Sequence, residues 1–210
     1  MPTGPVSARV FIWYPKGGDI GHAAMYLGNY EIGRKFEMSL DPNNLDAFVM
    51  TSALEHAMGA DGIHYNDNYV SWWPDRYAGA FTPQQSVEAA HGLYHDVREE
   101  GSEPHVAYDL YGLDVARMRA RWRETRDKPG AHYNLYRKNC ADLVLRVLVA
   151  GGALAKLDTA KAAWFGHNLI STPKKVAQLC NELRDAGWAT KSKAGNCPSR
   201  MSVFVVAGLR

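Results

Sequence analysis

The sequence predicts an α+β fold, because segments with strand periodicity and segments with helix periodicity both occur along it. Apolar residues alternate over residues 8–14, which predicts a strand, and residues 21–27 predict a second strand that ends at Gly28. Apolar residues at helical spacing over 114–126 predict an amphipathic helix. A further helix is predicted over 140–150, where Gly151-Gly152 supplies the stop.

The remaining elements follow from turn and cap signals. Thr82 is a good N-cap and Pro83 suits the first helical position, so a helix is predicted from there to about Glu100. Thr172-Pro173 predicts another helix, to about Ala186. Additional strands are predicted over residues 30–38, 69–74, 105–111 and 202–209, the last of which closes the sheet.

Length and composition predict a single domain over residues 1–210. Residues 40–68 are interpreted as an insertion or lid, and residues 151–210 as C-terminal helices with the closing strand. The net charge of +2 gives no strong attraction to nucleic acid. No apolar run reaches the ~20 residues of a membrane span. The first residues lack the pattern of a Sec signal peptide, so we expect synthesis in a cytoplasm, without Sec export.

The three cysteines, Cys140, Cys180 and Cys197, differ in their surroundings. Their odd number and spacing argue against a disulfide framework, and the absence of a Cys-x-x-Cys pair argues against a structural metal site. No cofactor is predicted. Cys180 lies on the apolar face of a predicted helix and is expected to be a small buried side chain. Cys197 is expected to be a loop thiol.

Cys140 has the surroundings of a nucleophile. Asn139 is a good N-cap, which places the thiol in the first turn of a helix. Free backbone N–H groups and the helix dipole favour a thiolate there, and the charges of Arg137 and Lys138 add to the effect. The same N–H groups could stabilise an oxyanion. A buried structural cysteine is the alternative interpretation.

His22 is the candidate general base. It lies on the predicted strand 21–27, where it shares a face with Ala24 and Tyr26, whereas the opposite face is expected to be core. Small neighbours leave space around the imidazole, so we expect its face to be open. A hydrogen-bonded surface histidine is the alternative, and His132 is the rival base because it is close to Cys140 in sequence.

A third group usually orients the base of such a pair. Ser71 is the first candidate, because its strand could lie beside that of His22, and Asp75 and Glu37 are the alternatives. The candidate substrate-contacting residues are all aromatic: Trp72, Trp73 and Tyr136. For the two tryptophans, packing at a sheet edge is the other interpretation.

Three motifs, in order, resemble those of the circularly permuted NlpC-like branch of the papain-like superfamily, which also includes lecithin retinol acyltransferase-type proteins. They are Gly21-His22-Ala23-Ala24-Met25-Tyr26-Leu27-Gly28, then Tyr69-Val70-Ser71-Trp72-Trp73-Pro74, and then Tyr133-Asn134-Leu135-Tyr136 with Asn139-Cys140-Ala141-Asp142-Leu143-Val144. The resemblance implies a central antiparallel sheet packed against helices, with Cys140 as nucleophile at a helix N-terminus. It also implies that His22 is the base and that Ser71 holds the third position.

The same resemblance implies a function. The branch contains peptidoglycan amidases and endopeptidases, and the chain is similar to type VI secretion effectors. We therefore expect a cysteine amidase or peptidase that acts on peptidoglycan peptides as an antibacterial toxin. Such a toxin would be delivered into a target cell or its periplasm by a secretion apparatus, and its producer would need an immunity protein. The alternatives are a deamidase, transglutaminase-like enzyme or acyltransferase acting on a host protein or lipid, and a non-catalytic binding module.

Overall fold

The structure is a computed structural model that describes residues 2–15, 20–28, 67–74, 87–88, 92–135, 137–167 and 171–198. Seven strands lie in this part of the chain: β1 (Val6–Trp13), β2 (His22–Leu27), β3 (Tyr69–Val70), β4 (Trp73–Pro74), β5 (Val87–Glu88), β6 (Val106–Tyr111) and β7 (Ala189–Lys193). The α-helices are α1 (Leu93–Glu100), α2 (Val115–Arg126), α3 (Cys140–Ala150), α4 (Thr159–His167) and α5 (Pro173–Asp185). A 3₁₀ helix over Ala153–Lys156 follows α3.

The predicted α+β class is confirmed by a five-stranded antiparallel sheet. Its strands are ordered β3-β2-β1-β6-β7, and every neighbouring pair is antiparallel. β4 and β5 form a separate two-stranded ladder. In the β1–β2 register, Trp13 lies opposite His22, which places the histidine at the end of the central strands.

Both faces of the sheet are buried. Alternate residues of the central strands, such as Val10 and Met25, pack into a core with residues of α3 and α5. The intervening residues, including Phe11 and Tyr26, form a second core with Leu93 of α1. The sheet therefore lies between helices on both sides, and the His22 face, which we expected to be open, is packed.

The predicted helix from Thr82 to about Glu100 is wrong over its middle. Residues 82–86 lie outside the described residues, and Val87–Glu88 is strand β5, in which Val87 pairs with Pro74 and Glu88 with Trp73. Only Leu93–Glu100 is helical, and Gly92 precedes it in an extended conformation. Pairing with β4 therefore overrides the helical tendency of this segment.

The segment over residues 69–74 also differs from its prediction as one strand. It divides into β3, which pairs with β2 in the main sheet, and β4, which pairs with β5. Ser71 and Trp72 connect the two ladders. The segment is therefore not one continuous strand of the main sheet. It pairs with β2 over two residues and then leaves that sheet to pair with β5.

Other predictions have clear outcomes. The predicted helices 114–126, 140–150 and 173–186 are confirmed, with ends that differ by no more than one residue. β7, the 3₁₀ helix and α4 were not predicted. The proposed strands over 30–38 and 202–209, and residues 40–66 of the proposed lid, lie outside the described residues.

Three arginines of α2 fix the chain just before β3. The buried Asp67 carboxylate accepts hydrogen bonds from Arg123 Nε at 3.0 Å and from Arg126 Nη1 at 2.7 Å. Asn68 Oδ1 accepts from Arg119 Nε at 3.0 Å and Nη2 at 2.8 Å. The backbone oxygen of Asn68 also accepts from Leu27 N at 2.7 Å. These contacts set where the polypeptide enters β3, and hence where Ser71 lies.

We predict that Asp67→Asn lowers the free energy of unfolding by about 1 to 3 kcal/mol, because it removes a buried carboxylate on which two guanidinium groups converge. Denaturant unfolding measures the loss. The matched control is Asp127→Asn, which removes an exposed carboxylate that also pairs with Arg126 and should change stability by less than about 0.5 kcal/mol. Equal losses in the two variants would contradict the argument.

Candidate active site

Cys140 is the first residue of α3, and Asn139 caps that helix as predicted. The Asn139 side-chain oxygen accepts from Asp142 N at 2.8 Å, and its backbone oxygen accepts from Leu143 N at 3.1 Å. Within the described part of the chain, the N–H groups of Cys140 and Ala141 donate to no acceptor. Two helix-terminal donors are thus left beside the thiol, where an anion is favoured.

The amide group of Asn139 also ties the start of the helix to two other segments. Its Nδ2 donates to Leu135 O and to Ser171 O, each at 2.8 Å. Leu135 precedes the nucleophile in sequence, and Ser171 lies just before α5. Asn139 therefore fixes the position of Cys140 as well as satisfying the helix terminus.

His22 is positioned by the close approach of the chain at Gly21. Gly21 has φ +74°, and a Cβ atom there would lie 2.5 Å from Trp13 O and 2.9 Å from Pro15 N. Only glycine fits such a position without strain. This close approach sets the end of β2, from which the imidazole extends.

One ring nitrogen of His22 has two hydrogen-bond partners. Nε2 lies 3.2 Å from Asp96 Oδ2 and 3.0 Å from Ser71 Oγ. Cys140 also acts on this ring, because its charge raises the pKa of His22. Because Nε2 is occupied, Nδ1 is the nitrogen available to the thiol. The imidazole thus joins a thiol to a carboxylate, as a base does in a nucleophile–base–acid triad.

Asp96 is the centre of a buried hydrogen-bond network. Asp96 is 0% exposed, and four side chains lie within hydrogen-bond distance of its carboxylate. The partners are His22 Nε2, Tyr69 Oη at 2.5 Å, Ser71 Oγ at 3.0 Å and Trp73 Nε1 at 2.7 Å. This pairing allows a charge to remain in the interior.

The network shifts the protonation of both charged partners. Burial by itself would lower the pKa of His22, but the charges of Asp96 and Cys140 and hydrogen bonds to both raise it to about 10. Burial would raise the pKa of Asp96, whereas the charge of His22 and the hydrogen bonds hold that pKa well below its ordinary range. At neutral pH the histidine is therefore protonated and the aspartate is ionised.

The structure brings three of the predicted site residues together. Cys140, His22 and Ser71 meet at the end of the sheet, although Ser71 bridges the histidine and an aspartate rather than acting alone. The rival His132 is exposed, and its ring contact in the described residues is with Gly130 O at 3.3 Å. The alternative third residues Asp75 and Glu37, and the aromatic Tyr136, lie outside the described residues.

The two tryptophans have different surroundings. Trp73 stacks on the His22 ring, with the centroids 4.3 Å apart and the planes at 21°. Trp72 is 1% exposed and lies edge-on to Trp122 at 6.0 Å, with Lys138 Nζ 5.2 Å from its ring centroid. Trp72 is thus part of the core beneath the site, and Trp73 packs against the His22–Asp96 network.

Sequence reasoning missed Asp96. It lies in a predicted helix outside the three motifs. Leu93 is three residues before it and Val97 is the residue after it. An acidic residue among the apolar positions of an amphipathic helix is a signal that could have identified it, because a buried carboxylate needs charged or polar partners.

Two further searches cover the described ranges only. No group of three His, Cys, Asp or Glu side chains in them is placed to hold a metal ion. No helix in them is both long and apolar enough to cross a bilayer.

Comparison with known proteins places the chain in a family. The family model of the IcsB middle domain matches residues 82–202, which is more than half of the chain and includes both Asp96 and Cys140. The chain therefore belongs to the IcsB middle domain family.

The sequence is also similar to parts of two bacterial toxins. Over 78 residues, or 37% of this chain, it is 51% identical to the Multifunctional-autoprocessing repeats-in-toxin of Vibrio cholerae serotype O1 and to that of Vibrio vulnificus. The chain spans only 2% of the length of the first toxin and 1% of the second. The chain is thus similar to a small region of each toxin.

We predict that Gly21→Ala is more destabilising than Gly101→Ala. Both glycines have positive φ, but only the Cβ at position 21 would meet backbone atoms, whereas position 101 has open space. The left-handed conformation alone should lower the free energy of unfolding by about 1 to 2 kcal/mol at each site. Denaturant unfolding of both variants tests this, and an equal loss would show that the close approach at Gly21 costs nothing extra.

We predict that Asp96→Asn lowers the free energy of unfolding by about 3 to 5 kcal/mol near pH 6, because it leaves His22 buried without its counter-charge. The folded pKa of His22, about 10, exceeds its ordinary value of 6.5. The resulting stability is complete below about pH 6.5 and is lost as the pH rises through about 10. The Asp96 contribution has the opposite sense: it is present above the ordinary pKa of 3.8 and is lost in acid.

Denaturant unfolding at pH 6, 8 and 10 measures this effect. Wild-type stability should fall over this range, and the fall should be smaller in Asp96→Asn. Asp185→Asn, at an exposed carboxylate, should follow the wild type. A parallel decline in wild type and Asp96→Asn would show that Asp96 does not hold the proton on His22.

Proposed function

We propose that the chain is a cysteine-dependent acyl-transfer enzyme with a papain-like arrangement of its site. The observation that carries the proposal is the buried His22 ring, which contacts Asp96 Oδ2 at 3.2 Å and whose pKa is raised by the charge of Cys140 at the capped start of α3. A thiol at a capped helix start, a protonated imidazole and a buried carboxylate are the components of an activated cysteine nucleophile.

The proposed reaction begins with the Cys140 thiolate and the His22 imidazolium. The sulfur attacks a carbonyl carbon, and the resulting oxyanion is stabilised by the N–H groups of Cys140 and Ala141. The tetrahedral intermediate then expels the leaving group, which takes a proton from His22. The product of this half-reaction is a thioester on Cys140.

The second half-reaction depends on the acceptor. Neutral His22 removes a proton from the incoming nucleophile, which attacks the thioester and releases the thiol. With water the products are a carboxylic acid and free enzyme, and with an amine the product is a new amide. Asp96 maintains the imidazole orientation in both steps.

For the substrate, we propose first the amide bonds of peptidoglycan peptides, as the NlpC-like motifs imply. In this case the chain is a hydrolase that acts on a target bacterium. A producing cell would then require an immunity protein and a secretion apparatus.

The second candidate is the modification of a protein or lipid in a host cell by deamidation, transglutamination or acyl transfer. It is favoured by the 51% identity to a segment of two Vibrio proteins named as toxins. The acyl-enzyme is common to both candidates, and only the acceptor and the acyl donor differ.

We predict that Cys140 reacts with iodoacetamide at neutral pH at least about tenfold faster than a cysteine in an unfolded peptide, because the protonated His22 and the N-terminus of α3 place positive charge beside its sulfur. Mass spectrometry of the labelled peptides measures the rate. Cys180 is the internal reference, since burial raises the pKa of its thiol. A Cys140 rate equal to that of the unfolded peptide would favour the non-catalytic binding module.

We predict that Cys140→Ala abolishes product formation, whereas Cys197→Ala retains it, because Cys197 is a half-buried thiol outside the network. Purified variants are incubated with peptidoglycan sacculi and, separately, with a host-cell lysate. Cysteine-dependent release of muropeptides supports the hydrolase, and a cysteine-dependent mass shift on a lysate protein supports the second candidate. Products that persist in Cys140→Ala would exclude Cys140 as the nucleophile.

A further inference from the structure

Trp73 contacts both charged members of the network. Its indole ring is stacked on His22 at 4.3 Å between centroids, and its Nε1 donates to Asp96 Oδ1 at 2.7 Å. Asp96 in turn uses Oδ2 for His22. The Trp73 side chain therefore covers the face of the imidazole. It also orients the Asp96 carboxylate, which contacts Nε2 of the same imidazole.

The backbone fixes this side chain independently of the main sheet. Trp73 begins β4 and lies opposite Glu88 in the two-stranded ladder with β5. Pairing between this segment and the main sheet ends at Val70. The short ladder thus holds the indole over the histidine after the chain has left β3.

The stacked geometry favours a protonated histidine. An aromatic face attracts a cation, and indole does so more strongly than the other aromatic side chains. The indole N–H favours the ionised form of Asp96 in the same way that other donors do. By covering the pair, the ring also keeps water from screening the attraction between imidazolium and carboxylate.

We propose that Trp73 is a positioning residue that holds the His22–Asp96 pair together and widens the pH range over which the pair is charged. This inference rests on the proposed function for its catalytic meaning, but its structural content does not depend on any substrate. Among the residues that the structure describes, the titratable groups that act on the pair are His95 of α1, Tyr69 of β3 and Cys140 of α3.

The test measures the protonation of His22 directly, by NMR titration of ¹⁵N-histidine-labelled protein in a Cys140→Ala background. The background removes the thiol charge, so that Asp96 and Trp73 remain as the groups under test. Trp73→Phe keeps an aromatic ring but loses the N–H donor, and Trp73→Leu loses both. Trp164→Phe, at an exposed tryptophan on α4, is the matched control.

We expect the pKa of His22 in Trp73→Leu to move toward 6.5 by about 1 unit or more, a tenfold change in its protonation equilibrium. Trp73→Phe should give a smaller shift in the same direction, and Trp164→Phe should give none. Thermal unfolding verifies that each variant is folded at the titration temperature. A folded Trp73→Leu or Trp73→Phe that titrates as the parent does would overturn the proposal.

Kinetics in the Cys140-containing protein provide a second readout. The rate of Cys140 alkylation by the anionic reagent iodoacetate should fall at a lower pH in Trp73→Phe than in the wild type, since the cationic imidazolium that attracts the reagent is lost earlier. If no substrate is ever found but the His22 titration still shifts, the proposed function fails and the inference about Trp73 stands. An unchanged alkylation profile, with an unchanged titration, would assign Trp73 to packing alone.

Discussion

The buried carboxylate of Asp96 is the group on which the geometry of the site depends. An ionised side chain with no solvent contact is stable only if several donors converge on it. Here those donors come from β2, β3, β4 and the link between the last two strands, and they are His22, Tyr69, Trp73 and Ser71. Satisfying one charge therefore fixes four side chains, and it orients His22 and favours the protonated form of its ring.

The position of His22 at the end of a strand follows from the two-sided burial of the sheet. The acid is on α1, which packs on one face, whereas the thiol begins α3, which packs on the other. A side chain in the middle of a strand points to one face only. A residue at the strand end can contact groups from both layers, and the constriction at Gly21 places His22 there.

Much of the fold could be predicted, because it depends on local signals. Helix α2 follows from periodicity, and α3 and α5 follow from the start signals at Asn139 and Thr172-Pro173. In the structure Asp114, Asn139 and Thr172 each accept a capping hydrogen bond from a backbone N–H group. The segment before α1 was predicted wrongly as helix, because β5 exists only through its pairing with β4. A two-residue strand has too little periodicity to be recognised without its partner.

The sequence by itself singled out Cys140 and His22 as the candidate nucleophile and base. A cysteine after an N-cap asparagine is a local pattern, and so is a histidine after a glycine. Each spans two neighbouring residues, so it can be recognised from the sequence alone. Only the tertiary structure decided which acid completes the network, because His22 and Asp96 are 74 positions apart in the chain. It also placed Trp73, a candidate substrate contact, in a stack with the His22 ring. Such contacts depend on how α1 and β4 pack over the end of β2. The periodicity within one segment cannot predict that packing, because the packing involves segments that are distant in sequence.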